Sequence, residues 1–194
     1  MKIFLLSFCL IMFSVNSFAK VCTYEYVSAG TELKWKAFKT PKKLGVNGQF
    51  KDFSIVAGKA SSLADLLAQA AFSINTQSVE TGDKGRDGKI MKSFFSTLAQ
   101  GLHIKGFTNK VTAKDDVSGQ VEVEMSMNGE AQDVKMDYKL TDGKLTLTGK
   151  VDVLEFKMDK NLQAINKACF ALHEGKTWSD VELELIAVIK TTCQ

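Results

Sequence analysis

The sequence is poor in the residues that metal and nucleophile chemistry draw on. It has two histidines, His103 and His173, far apart along the chain. Its four cysteines match no zinc-binding spacing. A His-based metal centre and a Cys–His nucleophile pair therefore find little support. A dominant charge is also missing: 25 Lys and Arg stand against 22 Asp and Glu. That balance offers no basic field of the kind nucleic acid requires. After the first residues, no apolar run is long enough to span a membrane. No linker, low-complexity tract or internal repeat divides the chain.

The chain begins MKIFLLSFCLIMFSVNSFAKVC, and its first 19 residues read as a secretory leader. One Lys precedes an apolar core from Ile3 to Val15, and Ser17 and Ala19 give the small-x-small cleavage pattern. Lys20 and Val21 precede Cys22, so that Cys lacks the small neighbours of a lipidation site. The expected domains are a leader over 1–19 and one domain over 20–194, ample for a real core. The exported chain keeps Cys22, Cys169 and Cys193, an odd count that leaves one thiol over. The expected location is periplasmic or secreted.

The stretch SVETGDKGRDGKIMKSFF, Ser78 to Phe95, invites two chemical readings and satisfies neither. For a phosphate-binding loop counted from Gly82, Gly88 falls one residue late, and Ile90 stands where a hydroxyl is needed. For a calcium loop, Asp83 and Asp87 fit positions 1 and 5, but Gly85 and Phe94 stand at positions 3 and 12. A connection into a helix fits better. Asp87 would cap a run from Gly88 to Leu98, whose apolar face is Ile90, Met91, Phe94, Phe95 and Leu98.

The second half alternates like long antiparallel strands. Val121, Val123, Met125 and Met127 interleave with polar residues. A link at Gly129–Ala131 leads to Val134, Met136, Tyr138 and Leu140. Asp142-Gly143 is a two-residue hairpin turn, followed by Leu145, Leu147, Gly149, Val151 and Val153. The phase slips there, which a bulge would explain. Val181, Leu183, Leu185, Ala187 and Ile189 make the last strand, with Ile186 and Val188 apolar on its other face. A covering helix or a partner is the expectation for those two.

In the first half, Leu33, Trp35 and Ala37 share one face, then Val46, Gly48 and Phe50. A short helix from Ser61-Ser62 to Ala70, a strand through Phe72, Ile74 and Thr76, and another over Leu102–Thr112 follow. Between Phe156 and Trp178 a helical stripe shows Leu162, Ile165 and Ala168. The expectation is all-β with short helices: about eight antiparallel strands, each with one buried face. A sandwich and a closed barrel both satisfy this, and closure removes exposed edges.

Three segments resemble the YceI-like family in order and spacing. They are LKWKAFKTPKKLGVNGQFKDFSI with Val46-Asn47-Gly48-Gln49-Phe50, the stretch Ser78-Val79, Thr81-Gly82-Asp83 and Arg86-Asp87, and Gly129 to Val134 before long strands. The resemblance spans about residues 24 to 190. It implies an exported, lipocalin-like eight-stranded antiparallel barrel holding a polyisoprenoid or similar amphiphile, such as an isoprenoid quinone. Many members carry a His after the first-strand aromatic; here Lys39 lies in that neighbourhood, before Pro41.

In such a barrel the inward, cavity-lining set is Trp35, Phe50, Phe72, Ile74, Val123, Met125, Met127, Met136, Tyr138, Leu147, Leu183 and Leu185. Each could equally be core filler. Arg86 and Asp87 order the rim loop. First and last strands of a closed barrel pair, so Cys22 would bond Cys193 and leave Cys169 free. The expected activity is binding without catalysis and with no cofactor beyond the bound lipid or quinone, since the strand acids Glu122, Glu124, Asp133 and Asp137 lie on wet faces. A ligand-free, filled barrel acting as an interaction or stress protein is the rival, and a homodimer stays open.

Overall fold

The computed structural model describes residues 21–194, so the leader and its cleavage after Ala19 lie outside the described residues. Eleven strand segments form one antiparallel sheet. They are β1 (Cys22–Lys39), β2 (Leu44–Phe50), β3 (Phe53–Val56), β4 (Lys59–Ala60), β5 (Ala71–Asn75), β6 (Val79–Glu80), β7 (His103–Ala113), β8 (Ser118–Met127), β9 (Glu130–Thr141), β10 (Lys144–Asp152) and β11 (Thr177–Cys193). Four helices interrupt them: α1 (Leu63–Ala68), α2 (Lys84–Ile90), α3 (Asp159–Ala168) and α4 (Phe170–His173).

The sheet curls into a barrel whose seam is the pairing of its first and last strands. β1 runs against β11 from Cys22 opposite Cys193 to Lys39 opposite Thr177. A disulfide joins Cys22 to Cys193 at one end of this seam, across 171 residues of sequence, and Cys169 is a buried free thiol. The other edges meet through two bent strands. β2 turns at Lys51-Asp52 into β3, and β5 passes through one 3-10 turn (Thr76–Ser78) into β6. β2 pairs with β6 at Gln49–Glu80 and Phe50–Val79, while β3 pairs with β5 from Phe53–Ile74 to Val56–Ala71. Counting each bent pair once, and β4 as a side-piece on β1, gives eight strands round the ring.

Several local readings need correction. Asn128-Gly129, both at positive φ, makes the β8–β9 turn, one residue earlier than the expected link. The phase slip at Val153 is not a bulge: β10 stops at Asp152, whose side chain caps a 3-10 turn over Val153–Phe156. β1 begins at Cys22, eleven residues before Leu33, where the expected strand starts, and a bulge between Val27 and Glu32 divides it. Within the bulge Gly30, at positive φ, lies beside the outward Val188 of β11. Asp87 is not the cap of a helix from Gly88. Asp83 caps α2 by accepting from the Arg86 N–H, and the α2 path then widens into a π turn over Met91–Phe95.

The two ends of the barrel differ. At the disulfide end, α1 plugs the interior with Leu63, Leu66 and Leu67, all buried. Ser62 caps it through the Asp65 N–H. At the opposite end, α2, the π turn, α3 and α4 crowd the mouth. Asn161 of α3 is buried and donates to the Phe94 carbonyl at 2.6 Å and the Thr97 hydroxyl at 3.0 Å. A π turn leaves main-chain groups without their regular partners. Asn161 satisfies one and ties α3 to the π turn.

Candidate functional site

Alternation aims one row of each strand at the barrel axis, and these rows line a cavity of about 270 Å³. Of the twelve inward residues named from the sequence, the structure places ten on this wall: Trp35, Phe50, Phe72, Ile74, Val123, Met125, Met127, Met136, Leu183 and Leu185. Tyr138 and Leu147 are buried in the continuous core but lie outside the cavity wall. They are cross-strand partners. The Tyr138 hydroxyl also sits where a side chain on Gly119 would stand. Packing is closed there and open nearer the mouth.

Helices complete the wall. Ile90, Phe94 and Phe95 come from α2 and the π turn, and Leu162, Ile165 and Cys169 from α3 and the residue after it. Phe94 and Phe95 meet edge to face at 5.0 Å, Phe95 lies 6.0 Å from Phe50, and Phe50 lies 6.5 Å from Trp35. These tilted contacts make a connected aromatic side to the lumen. The Trp35 indole N–H is buried and has no partner among the described residues.

The mouth is polar, and of one sign. Lys39, Arg86, Lys89, His173 and Thr177 reach the cavity wall there. Lys39 extends the inward row Leu33, Trp35, Ala37 by one more step of two, a signal that the sequence did carry. Lys34 also touches the lining, but it is ion-paired with Glu32. Among the described residues no Asp or Glu lines this cavity.

Arg86 is held in place by Thr81. Its Nε donates to the Thr81 hydroxyl at 2.8 Å and its Nη2 to the Thr81 carbonyl at 2.9 Å. Asp87 accepts from the same residue, from the Thr81 N–H at 2.9 Å and its hydroxyl at 2.5 Å. Arg86 faces the lumen and Asp87 does not.

His173 sits in a chain of side-chain bonds. The Thr177 hydroxyl donates to Asn166 Oδ1 at 3.0 Å, and Asn166 Nδ2 donates to the Gly175 carbonyl. The Thr177 proton is thus spent, so His173 Nδ1–H donates to the Thr177 oxygen at 2.7 Å. In the neutral ring Nε2 keeps its lone pair. Burial pushes the His173 pKa down, and the Lys39 and Lys89 ammonium groups push it further the same way. Sequence reasoning missed His173 and Trp178, because neither lies on an alternating row. Trp178 is fixed by donating to the Thr40 carbonyl at 2.8 Å.

Among the described residues no group of three His, Cys, Asp or Glu could hold a metal ion, and no helix is long and apolar enough to cross a membrane.

The sequence matches the YceI-like domain over residues 24–188. No curated protein matches it. Among solved structures, a polyisoprenoid-binding domain from Saccharophagus degradans, implicated in plant cell wall breakdown, superimposes with a TM-score of 0.59 at 12% identity, over 90% of this chain and 100% of that one. BcnA of Burkholderia cenocepacia gives 0.60 at 14% identity, over 86% and 99%. The Campylobacter jejuni YCEI protein gives 0.54 at 22% identity, over 76% and 85%. At these identities the likeness is one of fold.

Proposed function

The chain belongs to the YceI-like domain family, and on that premise we propose that it is an exported binding protein. It takes the apolar chain of an isoprenoid, an isoprenoid quinone or a similar amphiphile into the barrel lumen and shields it from water. The observation that carries this reading is the cavity of about 270 Å³ with an almost wholly apolar wall and a polar mouth. The similarity to a polyisoprenoid-binding domain supports it.

The energetics favour a chain over a compact polar solute. Each buried methylene contributes about 0.8 kcal/mol. The present volume is that of about nine liquid waters, and of a similar number of methylenes. Their burial is worth roughly 7 kcal/mol before the cost of lost freedom. A longer prenyl chain needs the lumen to widen. Met125, Met127 and Met136 are the wall residues able to yield, being unbranched and pliable. The function needs no bond to be made or broken. Export rests on the leader read from residues 1–19.

Solvent extraction of the protein purified from its native host, followed by mass spectrometry, tests this. The expected extract contains an amphiphile in near-stoichiometric amount. An extract without one, from protein that also refuses added prenyl alcohols and quinones, refutes it and favours a filled barrel that acts by protein contact.

A further inference from the structure

The lumen's mouth carries more cationic charge than a purely apolar guest requires. Lys39, Arg86 and Lys89 all reach the cavity wall, from β1 and from α2. Seven other lysines form ion pairs with Asp or Glu, but none of these three cations does among the described residues. Arg86 is not free to swing away, because Thr81 holds its Nε and Nη2. That leaves Nη1, with two N–H groups, for another acceptor. The four positions converge: both Lys39 and Lys89 act on the His173 ring, which lies on the same wall.

A cluster of like charges at the edge of an apolar cavity is unfavourable by itself. Lowered dielectric strengthens the repulsion. The exposed Asp83 carboxylate acts on Arg86 and Lys89 from outside, but among the described residues no carboxylate stands on the cavity wall itself. An anionic headgroup placed there would be met by two ammonium groups and one oriented guanidinium. The guanidinium supplies directional donors, and the lysines supply movable point charges.

We propose that Lys39, Arg86 and Lys89 form a headgroup site at the barrel mouth that selects amphiphiles with an anionic oxygen head, carboxylate or phosphate, over neutral ones with the same chain. This rests on the lumen being a lipid site. It names the class of ligand: a single chain of about ten carbons within the present volume, with its charge in the mouth. His173 stands at the side of that site, its Nε2 able to accept from a protonated head or a hydroxyl.

The test compares guests that share one chain. Decanoate, decyl phosphate, decanol and decyltrimethylammonium are titrated into delipidated full-length exported protein. Binding is read from the fluorescence of Trp35 and Trp178, both on the cavity wall. The expected result is at least roughly tenfold tighter binding of one or both anions than of decanol, and the weakest binding for the cation. The stronger anion tells carboxylate from phosphate. In a Lys39→Gln/Lys89→Gln variant the anion preference should fall to about threefold or less. Lys110→Gln, exposed on β7 and outside the cavity wall, should leave the preference as it was. Equal binding of decanol and both anions overturns the headgroup site and leaves the lipid lumen standing. An anion preference that survives the double variant and also survives Arg86→Gln overturns it too. No binding of any guest overturns the lumen reading and the headgroup site together.

Discussion

The Trp35 indole lies across Gly48 on the neighbouring strand, in the space that a side chain at residue 48 would occupy. The two residues are direct partners in the β1–β2 pairing. A glycine in a strand interior weakens the strand unless something needs the close approach. Here the large ring needs it, and the ring forms part of the lumen wall. Gly48→Ala should therefore displace Trp35. The expected cost is about 1–3 kcal/mol of stability, with a shift in tryptophan emission. Denaturant unfolding and an emission spectrum check both, and an unchanged spectrum would contradict the packing.

The disulfide should stabilise mostly through the unfolded chain. Cys22 and Cys193 lie 171 residues apart, so the bond closes a very long loop in the denatured state. Replacing both by Ser should cost about 2–5 kcal/mol, and a similar loss should follow reductant. Unfolding of the oxidised, reduced and double-Ser proteins measures this. Cys169→Ser, by contrast, should leave the effect of reductant intact.

Asp87 and Arg86 should control the order of the mouth more than the stability of the barrel. Asp87→Ala removes the acceptor of the Thr81 N–H and hydroxyl. A part-buried donor left without its partner costs about 1–3 kcal/mol. The loss should be local: amide exchange should quicken over residues 81–90, while β8, β9 and β10 stay protected. Equal acceleration throughout the sheet would count against a rim role.

Acid should destabilise the protein in two separate windows. The folded pKa of His173 lies below its ordinary value of 6.5, through burial and then through Lys39 and Lys89. Below pH 6.5 the unfolded chain therefore binds the proton more readily than the folded one. Stability is fully present above that pH and is lost as pH falls through the folded value. The carboxyls of Asp83 and Asp115 are lowered from 3.8, Asp83 by the Arg86 N–H and Asp115 by Ser118. Their contribution is lost only at more acidic pH. His173→Gln should flatten the upper window and leave the lower one. Stability–pH curves of the two proteins compare them directly.

Much of the sheet was legible because period two is a strong signal where one face is wet. Val121 to Met127 and Val134 to Leu140 sit in β8 and β9 with the expected inward rows. Short pieces carried no such signal: β4 and β6 have two residues each. The bend between β2 and β3 hides one strand as two. The helical turn at Val153 imitated a bulge, since both shift the phase of apolar residues. The apolar lining could be listed from the sequence, yet alternation could not tell Tyr138, packed shut, from Met136, two residues away on the cavity wall. The cationic mouth was hidden for another reason. Lys39, Arg86, Lys89 and His173 come together only once α2 and α4 fold over the barrel end, and each alone looks like an ordinary surface residue.

A crystal structure of the protein as purified from its native host, at a resolution that shows individual methylenes, is the most direct measurement. The expected map has a continuous tube of density along Met125, Phe95 and Trp35, ending beside Lys39 and Arg86. A map in which those side chains interlock across the axis, with no passage wide enough for a hydrocarbon chain, would contradict it.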